Sequence, residues 1–478
     1  MIPRTMSTQH PDNVITPFFA ESPVIKGDDE VKEAFYVFSH LGCHEQMWDY
    51  EGKEVDNFVV KKLLSRYEHF FRKVILGKDV RITLRIPNPS WEKAEAKVLL
   101  ETLESIPRSF DAAKLFYGKD IPPIFEVILP MTTSHIELNR VFYYYKNFVV
   151  GKQNKRFFHG DITIAEWIGE FKPHEINVIP LIEDLSYIIN CDKIIESYLA
   201  DKYVEYQRVF LAKSDLALNY GMVASTLALK IALMRLEELE EKLSVPIYPI
   251  VGFGSVPFRG NLRPDTVDRI LDEWRNVQTF TIQSAFKYDY PEKDVINAIE
   301  KINNTKRKKG EHVEEDKFME IIRKSSQEYK QIVSALVDLI NRIAKYVPKR
   351  RERKLHIGLF GYSRSLNGSV LPRAIPFCCA LYSIGLPPEI FGLKCLNEKE
   401  MEIVMEVCGE DILDALRYYN PDVVKILPNE VVKKLAIDRF DFEIDEIYKN
   451  VTDEIIQSLD NIDQEKIIRA AYIRKFLG

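Results

Sequence analysis

Short β-branched or aromatic runs alternate with longer segments of helical periodicity along most of this chain, and that alternation restricts the fold more than any other feature. The strand candidates are "AFYVFSHLG" (Ala34–Gly42), "VRITLRI" (Val80–Ile86), "IFEVILPM" (Ile124–Met131) and "INVIPLIED" (Ile176–Asp184). Four more follow: "RVFLAKSD" (Arg208–Asp215), "PIYPIVGFG" (Pro246–Gly254), "TFTIQSAF" (Thr279–Phe286) and "HIGLFGY" (His356–Tyr362). Apolar runs of this length, bounded by glycine, proline or charge, read as buried strands. Between most of them lie helix-like stretches such as "SWEKAEAKVLLETLESI" and "MVASTLALKIALMRLEELEEKL", the second with i,i+4 charge support toward its end. Strands alternating with helices fit an α/β fold with a parallel sheet and right-handed crossovers, and eight strands close a (β/α)8 barrel of the TIM type. A doubly wound open sheet is the structural rival.

The barrel, with an N-terminal segment, accounts for residues 1–395. From about Leu396 the pattern is helical only, so residues 396–478 read as a C-terminal helical layer packed on the barrel in a single structural unit. The linker between the last two strand candidates carries "NNTKRKKGEHVEEDK" (Asn303–Lys317), which reads as a solvated or mobile excursion. With 72 acidic against 66 basic residues the net charge is −6, which gives no basic excess for nucleic acid. The runs "KRKK" and "PKRRERK" (Pro348–Lys354) are short and lack interleaved aromatics; the second reads as a solvated basic patch on the face opposite the strand ends. No run of about 18 apolar residues spans a bilayer, and "MIPRTMSTQH" lacks a signal-peptide core. Six cysteines without regular spacing fit reduced thiols in a cytoplasmic protein.

In such a barrel the functional groups collect where strands end, because the βα loops form that face. The run at Val80–Ile86 ends in Arg85 before "IPNP", which cannot continue a ladder. Later runs end in Glu183-Asp184 and in "KSD", with Ser214 and Asp215; the next leads into "GFGSVPFRGN", with Gly252, Gly254 and Arg259. The seventh run carries Gln283 and Lys287, and the eighth leads into "GYSR", with Arg364. Mg²⁺ and Mn²⁺ take oxygen ligands, typically one or two carboxylates completed by water and substrate. Glu183 and Asp215, on neighbouring strands, can converge on one such ion, while arginine forks match phosphate and carboxylate oxygens. That combination suits a small, doubly anionic, phosphorylated acid. The plain alternative is that each acid caps a helix and each arginine neutralises it. The glycines of "VGFGSVPFRG" either bring backbone N–H groups to an anion or form a turn; the segment has neither Walker nor G-x-G-x-x-G spacing. "MWDYEGKEVD" (Met47–Asp56) either positions active-site loops or is an ion-paired turn, and His40, His44 and His135 read as structural. "STQHPDN" (Ser7–Asn13), taken alone, reads as a terminal tail, since Pro11 holds His10 extended.

Several of these stretches occur in order with "SDLALNYG" (Ser214–Gly221), "QSAFKYDYP" (Gln283–Pro291), "PRAIPF" (Pro372–Phe377) and a terminal "FLG". Together they closely resemble the short, archaeal-type phosphoenolpyruvate carboxylases over essentially the whole chain. In the longer carboxylases of bacteria and plants the catalytic histidine lies in T-A-H-P-T-E, which His10 matches. The metal ligands there lie in F-E-T and S-D-S, matched by Glu183 and Asp215, and the glycine- and arginine-rich loop is matched by "GFGSVPFRG", with its second arginine at Arg259. The resemblance implies a phosphate-contacting role for Arg85 and, with less certain register, substrate contacts for Arg364 and Arg373. Two departures stand out: Phe253 replaces the first arginine of that loop, and Leu218 replaces a lysine three residues after the metal-binding aspartate.

The resemblance implies carboxylation of phosphoenolpyruvate by bicarbonate to oxaloacetate and phosphate, with Mg²⁺ or Mn²⁺ as cofactor and a homotetrameric assembly. His10, on a segment folded over the barrel mouth, would serve as base and partial lid, since an imidazole titrates near neutral pH. The half-length chain makes the effector responses of the longer enzymes doubtful. The enzyme rival is another barrel lyase or aldolase that handles phosphoenolpyruvate or a pyruvate enolate; the rival of another class is a non-catalytic scaffold or nucleic-acid-binding protein.

Overall fold

The computed structural model describes residues 2–51, 55–93, 96–352, 364–366 and 369–478. Eight parallel strands close into a barrel in chain order: β1 (Thr5–Ser7), β2 (Glu45–Asp49), β3 (Arg81–Arg85), β4 (Glu126–Leu129), β5 (Asn177–Ile182), β6 (Gln207–Leu211), β7 (Ile247–Val251) and β8 (Thr279–Ile282). The expected (β/α)8 architecture is therefore correct. The open sheet is excluded by the closing ladder, in which Thr5 and Met6 of β1 lie opposite Phe280 and Thr281 of β8.

Two staves are not the ones the apolar runs suggest. Ala34–Gly42 is no strand; it overlaps the helix Asp28–Ser39, whose Val31, Ala34, Val37 and Phe38 are buried at helical spacing. Three acids in its first turn favour the helix N-terminus. The candidate eighth strand, His356–Tyr362, lies outside the described residues. Their places are taken by β2, the start of "MWDYEGKEVD", and by β1, inside the stretch that reads as a tail or lid. β1 pairs with β2 on one side and β8 on the other, and the ladder extends through Thr8, whose N–H donates to Ile282 O at 3.0 Å.

Period-two alternation sorts each stave into inward and outward residues. Met6, Met47, Ile128, Ile179, Leu181, Phe210 and Ile250 form a separate apolar cluster, and parity places it inside the barrel. Toward the N-terminal rim lies a buried charged layer, in which Arg208 contacts Glu45 at 2.7 Å and Glu126 at 3.0 Å, and Arg81 contacts Glu126 at 3.1 Å. A far larger apolar core lies between the outward faces and the helices.

The helices Glu398–Leu416, Glu446–Ile456 and Gln464–Arg474 form the C-terminal part. It grips the loop after β7: Asn261 Nδ2 donates to Asp411 and Asp414, at 3.0 Å each, and Arg263 pairs with Asp414 at 2.8 Å. The Asn303–Lys317 segment is strapped to the N-terminal rim rather than loose, because Arg307 donates to Asn276 O at 2.9 Å and Ile247 O at 2.7 Å. "PKRRERK" is not a solvated patch on the far face either. Arg350 and Arg351 are buried, the first donating to Asn13 O and Val14 O beside the loop after β1. Among the described residues no helix is long and apolar enough to cross a membrane, and all six cysteines are free.

Candidate active site at the barrel mouth

The inward parity of the staves, carried one step past each C-terminal end, builds the mouth. From Met6 it passes to Thr8 and His10, from Met47 to Asp49, from Leu181 to Glu183, from Ile250 to Gly252, and from Thr281 to Gln283. His10 is half-buried, with Nδ1 2.8 Å from Thr8 Oγ1. It belongs to a βα loop of the barrel rather than to a segment draped across it, which corrects the lid reading. That loop is anchored downstream. Asp12 is fully buried and accepts from Ala285 N–H at 2.8 Å, and Asp289 accepts from the amides of Val14 and Ile15 at 2.7 Å each. Burial pushes the Asp12 carboxyl above its ordinary range, against the pull of Arg259 and the Ala285 amide.

At the ends of β2 and β3, Asp49 holds Arg85 in a two-point fork, with Nε to Oδ1 at 2.8 Å and Nη2 to Oδ2 at 2.7 Å. Glu51 lies 3.1 Å from Nη1 of the same side chain. Burial alone would lower the Arg85 guanidinium, but Asp49 and Glu51 outweigh it and hold it well above its ordinary value. "MWDYEGKEVD" is thus both stave and ion-paired support. Gln9 is buried beside it; its Oε1 accepts from Asp49 N–H at 3.2 Å, while Nε2 has no hydrogen-bond partner.

The two acids after β5 divide the roles that sequence left open. Asp184 caps the helix Leu185–Ile189, accepting from Ser186 N–H at 3.0 Å and from the Tyr220 hydroxyl at 2.7 Å. Glu183 turns inward instead, 8% exposed, with Oε2 accepting from Met131 N–H at 2.7 Å. Met131 adopts a φ of 51°, rare for a non-glycine residue and at home beside functional groups. Asn88, in the loop after β3, secures that turn by donating to Pro130 O at 2.8 Å. On the neighbouring stave, Ser214 and Asp215 open the helix Ser214–Tyr220, and Asp215 is half-buried.

The loop after β7 is built around Arg259, 1% exposed. Its Nε donates to Ser214 Oγ at 3.0 Å, Nη2 to Gln283 Oε1 and Nη1 to Gly478 O, with Asp12 Oδ2 at 3.4 Å. Gln283 and Arg259 are thereby brought together as expected of one site. Gly252 and Gly254 do not offer their amides to an anion: the first donates to Leu211 O at 3.1 Å, the second to Arg259 O at 2.8 Å. Gly254 provides space, because a Cβ there would sit 3.0 Å from Arg259 Cβ and Cζ. Phe253 packs away from the mouth, stacked on Phe280 at 5.5 Å.

Of the expected substrate contacts, Lys287 falls away from the mouth, and Arg364 and Arg373 lie outside the barrel staves. Lys287 is fully buried behind β1, its Nζ 2.9 Å from Glu33 and 3.0 Å from Ser7 Oγ and Thr8 O. It is a clamp on the stave, since its neighbour Glu33 also takes Arg351 at 2.6 Å. Arg364 lies in a two-stranded antiparallel ribbon, Arg364–Leu366 with Ser369–Leu371, and not at the end of a barrel stave. Arg373 immediately precedes the helix Ala374–Ser383 and is half-buried. His40 and His44 sit away from the mouth, His44 Nδ1 accepting from Arg4 N–H at 3.5 Å. Sequence reasoning passed over Gln9 and Asp12 as site components and left Asp49, within "MWDYEGKEVD", between two readings; counting alternate positions from Met47 would have decided for the mouth.

Among the described residues no three histidine, cysteine or acidic side chains cluster as a closed metal cage. The donors present instead, Glu183 just past β5 and Asp215 beyond the adjacent β6, are two carboxylates after neighbouring staves. That all-oxygen, open set fits a divalent ion which keeps room for water and substrate.

Residues 2–478 match the family model described as phosphoenolpyruvate carboxylase. The chain is 54% identical to a phosphoenolpyruvate carboxylase of Methanothermobacter thermautotrophicus, 52% identical to one of Methanospirillum hungatei and 51% identical to one of Pyrococcus furiosus. Each alignment covers all of this chain and all of the relative.

Proposed function

The chain belongs to the phosphoenolpyruvate carboxylase family, and we propose that its barrel mouth runs the reaction with His10 as base, Arg85 and Arg259 as anion-side cations, and Glu183 and Asp215 as the metal pair. The reaction joins phosphoenolpyruvate and bicarbonate and yields oxaloacetate and phosphate. The observation that carries the assignment of roles is β1: as a stave, it fixes His10 on the same rim as Glu183, Asp215 and Arg85.

Bicarbonate attack on the phosphoryl group gives carboxyphosphate and the enolate of pyruvate, and carbon dioxide released from the former is captured by the latter. The chain must hold the phosphoryl group in line for that attack and keep water from the enolate. Arg85, oriented by the fork of Asp49, presents its Nη1 edge to the substrate phosphate, which replaces the contact with Glu51. Arg259 is locked among Ser214, Gln283 and Asp12, so its charge is preorganised and costs little reorganisation during reaction. The His10 imidazole takes the carboxyphosphate proton and then donates to the departing phosphate. Gln9, with its partnerless amide beside Asp49, is placed to donate to a carboxylate or bicarbonate oxygen. Glu183 and Asp215 would hold Mg²⁺ or Mn²⁺, which would supply Lewis-acid charge to the bound substrate.

The test is oxaloacetate formation, followed by coupled malate production, with and without bicarbonate. Oxaloacetate that requires bicarbonate supports the reading; turnover indifferent to bicarbonate returns the site to the lyase and aldolase alternative. The metal pair is tested separately by Mn²⁺ binding, read by paramagnetic resonance. Asp215→Asn is expected to weaken binding at least tenfold with an unchanged melting temperature, and unaltered binding would remove Asp215 from the ligand set.

A further inference from the structure

At the C-terminal end of β4 the ladder to β5 carries one residue too many. The register sets Leu129 opposite Pro180, and continued two residues further it would bring the amide of residue 131 to Leu181 O. Thr132 N–H takes that acceptor instead, at 3.0 Å. One residue is therefore looped out, a bulge of the kind that re-aims a group beside an active site. The amide released from the ladder belongs to Met131, and it donates to Glu183 Oε2 at 2.7 Å.

The bulge does not follow from its own residues. Met131 has a φ of 51°, a conformation that a Cβ disfavours and that glycine adopts freely. Pro130 before it has no N–H with which to secure the turn. The restraint comes from the loop after β3. Asn88 is 1% exposed, and its Nδ2 donates across to Pro130 O at 2.8 Å. Its Oδ1 already makes the local turn by accepting from Ser90 N–H at 3.0 Å, so the Nδ2 bond is a separate tie between loops. The Asn88 carbonyl accepts from Trp91 N–H at 3.0 Å, and the Trp91 indole Nε1 reaches Met131 O at 3.1 Å. The carbonyls on both sides of the strained residue are thus held from one loop.

We propose that Asn88 and Trp91 are positioning residues for the divalent ion: by keeping Met131 in the left-handed conformation they aim its amide at Glu183 and fix the carboxylate that would ligate the metal. This rests on the reading of Glu183 and Asp215 as the metal pair. A carboxylate held at one oxygen by a backbone amide has its orientation set before an ion arrives, and hydrogen bonds that orient a ligand in this way typically change metal affinity about 10–100-fold. Without the donors of the loop, Met131 relaxes toward an extended conformation, its amide turns away and Glu183 regains its rotamers. The loop begins directly after Arg85, so one connection carries the cation proposed for the phosphate and the support of a metal ligand.

Mn²⁺ binding without substrate, read by paramagnetic resonance, tests the proposal. The chains compared are the wild type, Glu183→Ala, Asn88→Ala, Trp91→Phe and the double variant Asn88→Ala, Met131→Gly. Glu183→Ala is expected to weaken binding at least tenfold, Asn88→Ala about tenfold and Trp91→Phe about threefold. Glycine carries no penalty at a positive φ, so the double variant is expected to return to within about threefold of the wild type. A general loss of packing would not be repaired by a smaller residue. Unchanged binding in Glu183→Ala removes the ligand itself, and the proposal with it. Weak binding in Glu183→Ala beside wild-type affinity in both Asn88→Ala and Trp91→Phe keeps the ligand and overturns the positioning role alone. A double variant as weak as Asn88→Ala overturns it too. If Asn88→Ala does not fold, Trp91→Phe decides, and wild-type affinity there overturns the proposal.

Discussion

At the scale of single residues, the site separates groups that act from groups that hold. His10 has the exposure and position to act, and general-base residues typically contribute about 10²–10⁴-fold. His10→Asn is expected to lower oxaloacetate formation at least a hundredfold while phosphate release falls less than tenfold, pyruvate appearing in place of the missing product. Parallel malate- and lactate-coupled assays read the two. Equal losses would place His10 outside the carbon-dioxide step. Lys287 shows why residue type alone misleads, since a lysine just past a strand end reads as an anion contact until its partner Glu33 is visible. Such a pairing spans most of the chain and leaves no local trace. Glu389 is another buried group, its carboxyl pushed up to about 8 by burial, with Oε1 bonded to Tyr382 and Oε2 without a hydrogen-bond partner. Its folded value exceeds the unfolded one, so between about pH 4.5 and 8 the folded state binds the extra proton. Stability from this group is complete below that window and is lost as pH rises through it. Glu389→Gln is therefore expected to flatten the decline, raising stability at pH 8 by on the order of a few kcal/mol, as read from urea midpoints across the window.

At the scale of elements, β1 decides between two pictures of the N-terminus. A lid tolerates substitution on any face, whereas a stave has an inward face in the barrel core. Met6 is fully buried there, and an unpaired carboxylate in that place costs several kcal/mol. Met6→Asp is expected to prevent cooperative folding, or to lower the melting temperature by well over 10 °C, as followed by far-ultraviolet circular dichroism. An unchanged melting curve would mean that β1 is not part of the wall. Elements were legible where a run of β-branched residues was long enough to stand out, as in β3 and β5, and where a helix was long and ended in paired charges, as in Met222–Leu243. β1 has three residues between prolines and polar groups, and its strand conformation is imposed by β2 and β8 rather than by propensity. The helix Asp28–Ser39 failed in the opposite way. Its charged first turns hide the period, and the apolar second half taken alone imitates a buried strand.

At the scale of the whole molecule, the barrel mouth and the C-terminal helices are expected to behave as one body, because their contacts cross the boundary near residue 396. Arg259 is bonded at once to the loops after β6 and β8 and to Gly478, while Leu477 N–H donates to Asp12 O at 2.7 Å behind His10. Phe476 and Leu477 are fully buried, and Asp411 and Asp414 tie the helix Glu398–Leu416 to the loop after β7. Chains of this length commonly unfold through intermediates, and a layer that merely rested on the barrel would melt first. Melting the C-terminal helices here removes partners from Arg259, Asn261 and Arg263 together, leaving buried charge and amide groups without bonds, each a cost of about 1–3 kcal/mol or more. Calorimetry is accordingly expected to give a single transition for barrel and helices, with protease resistance of residues 1–395 and 396–478 lost at the same temperature. Two resolved transitions, with the barrel surviving the first, would show that the mouth is complete without the layer that now closes around it.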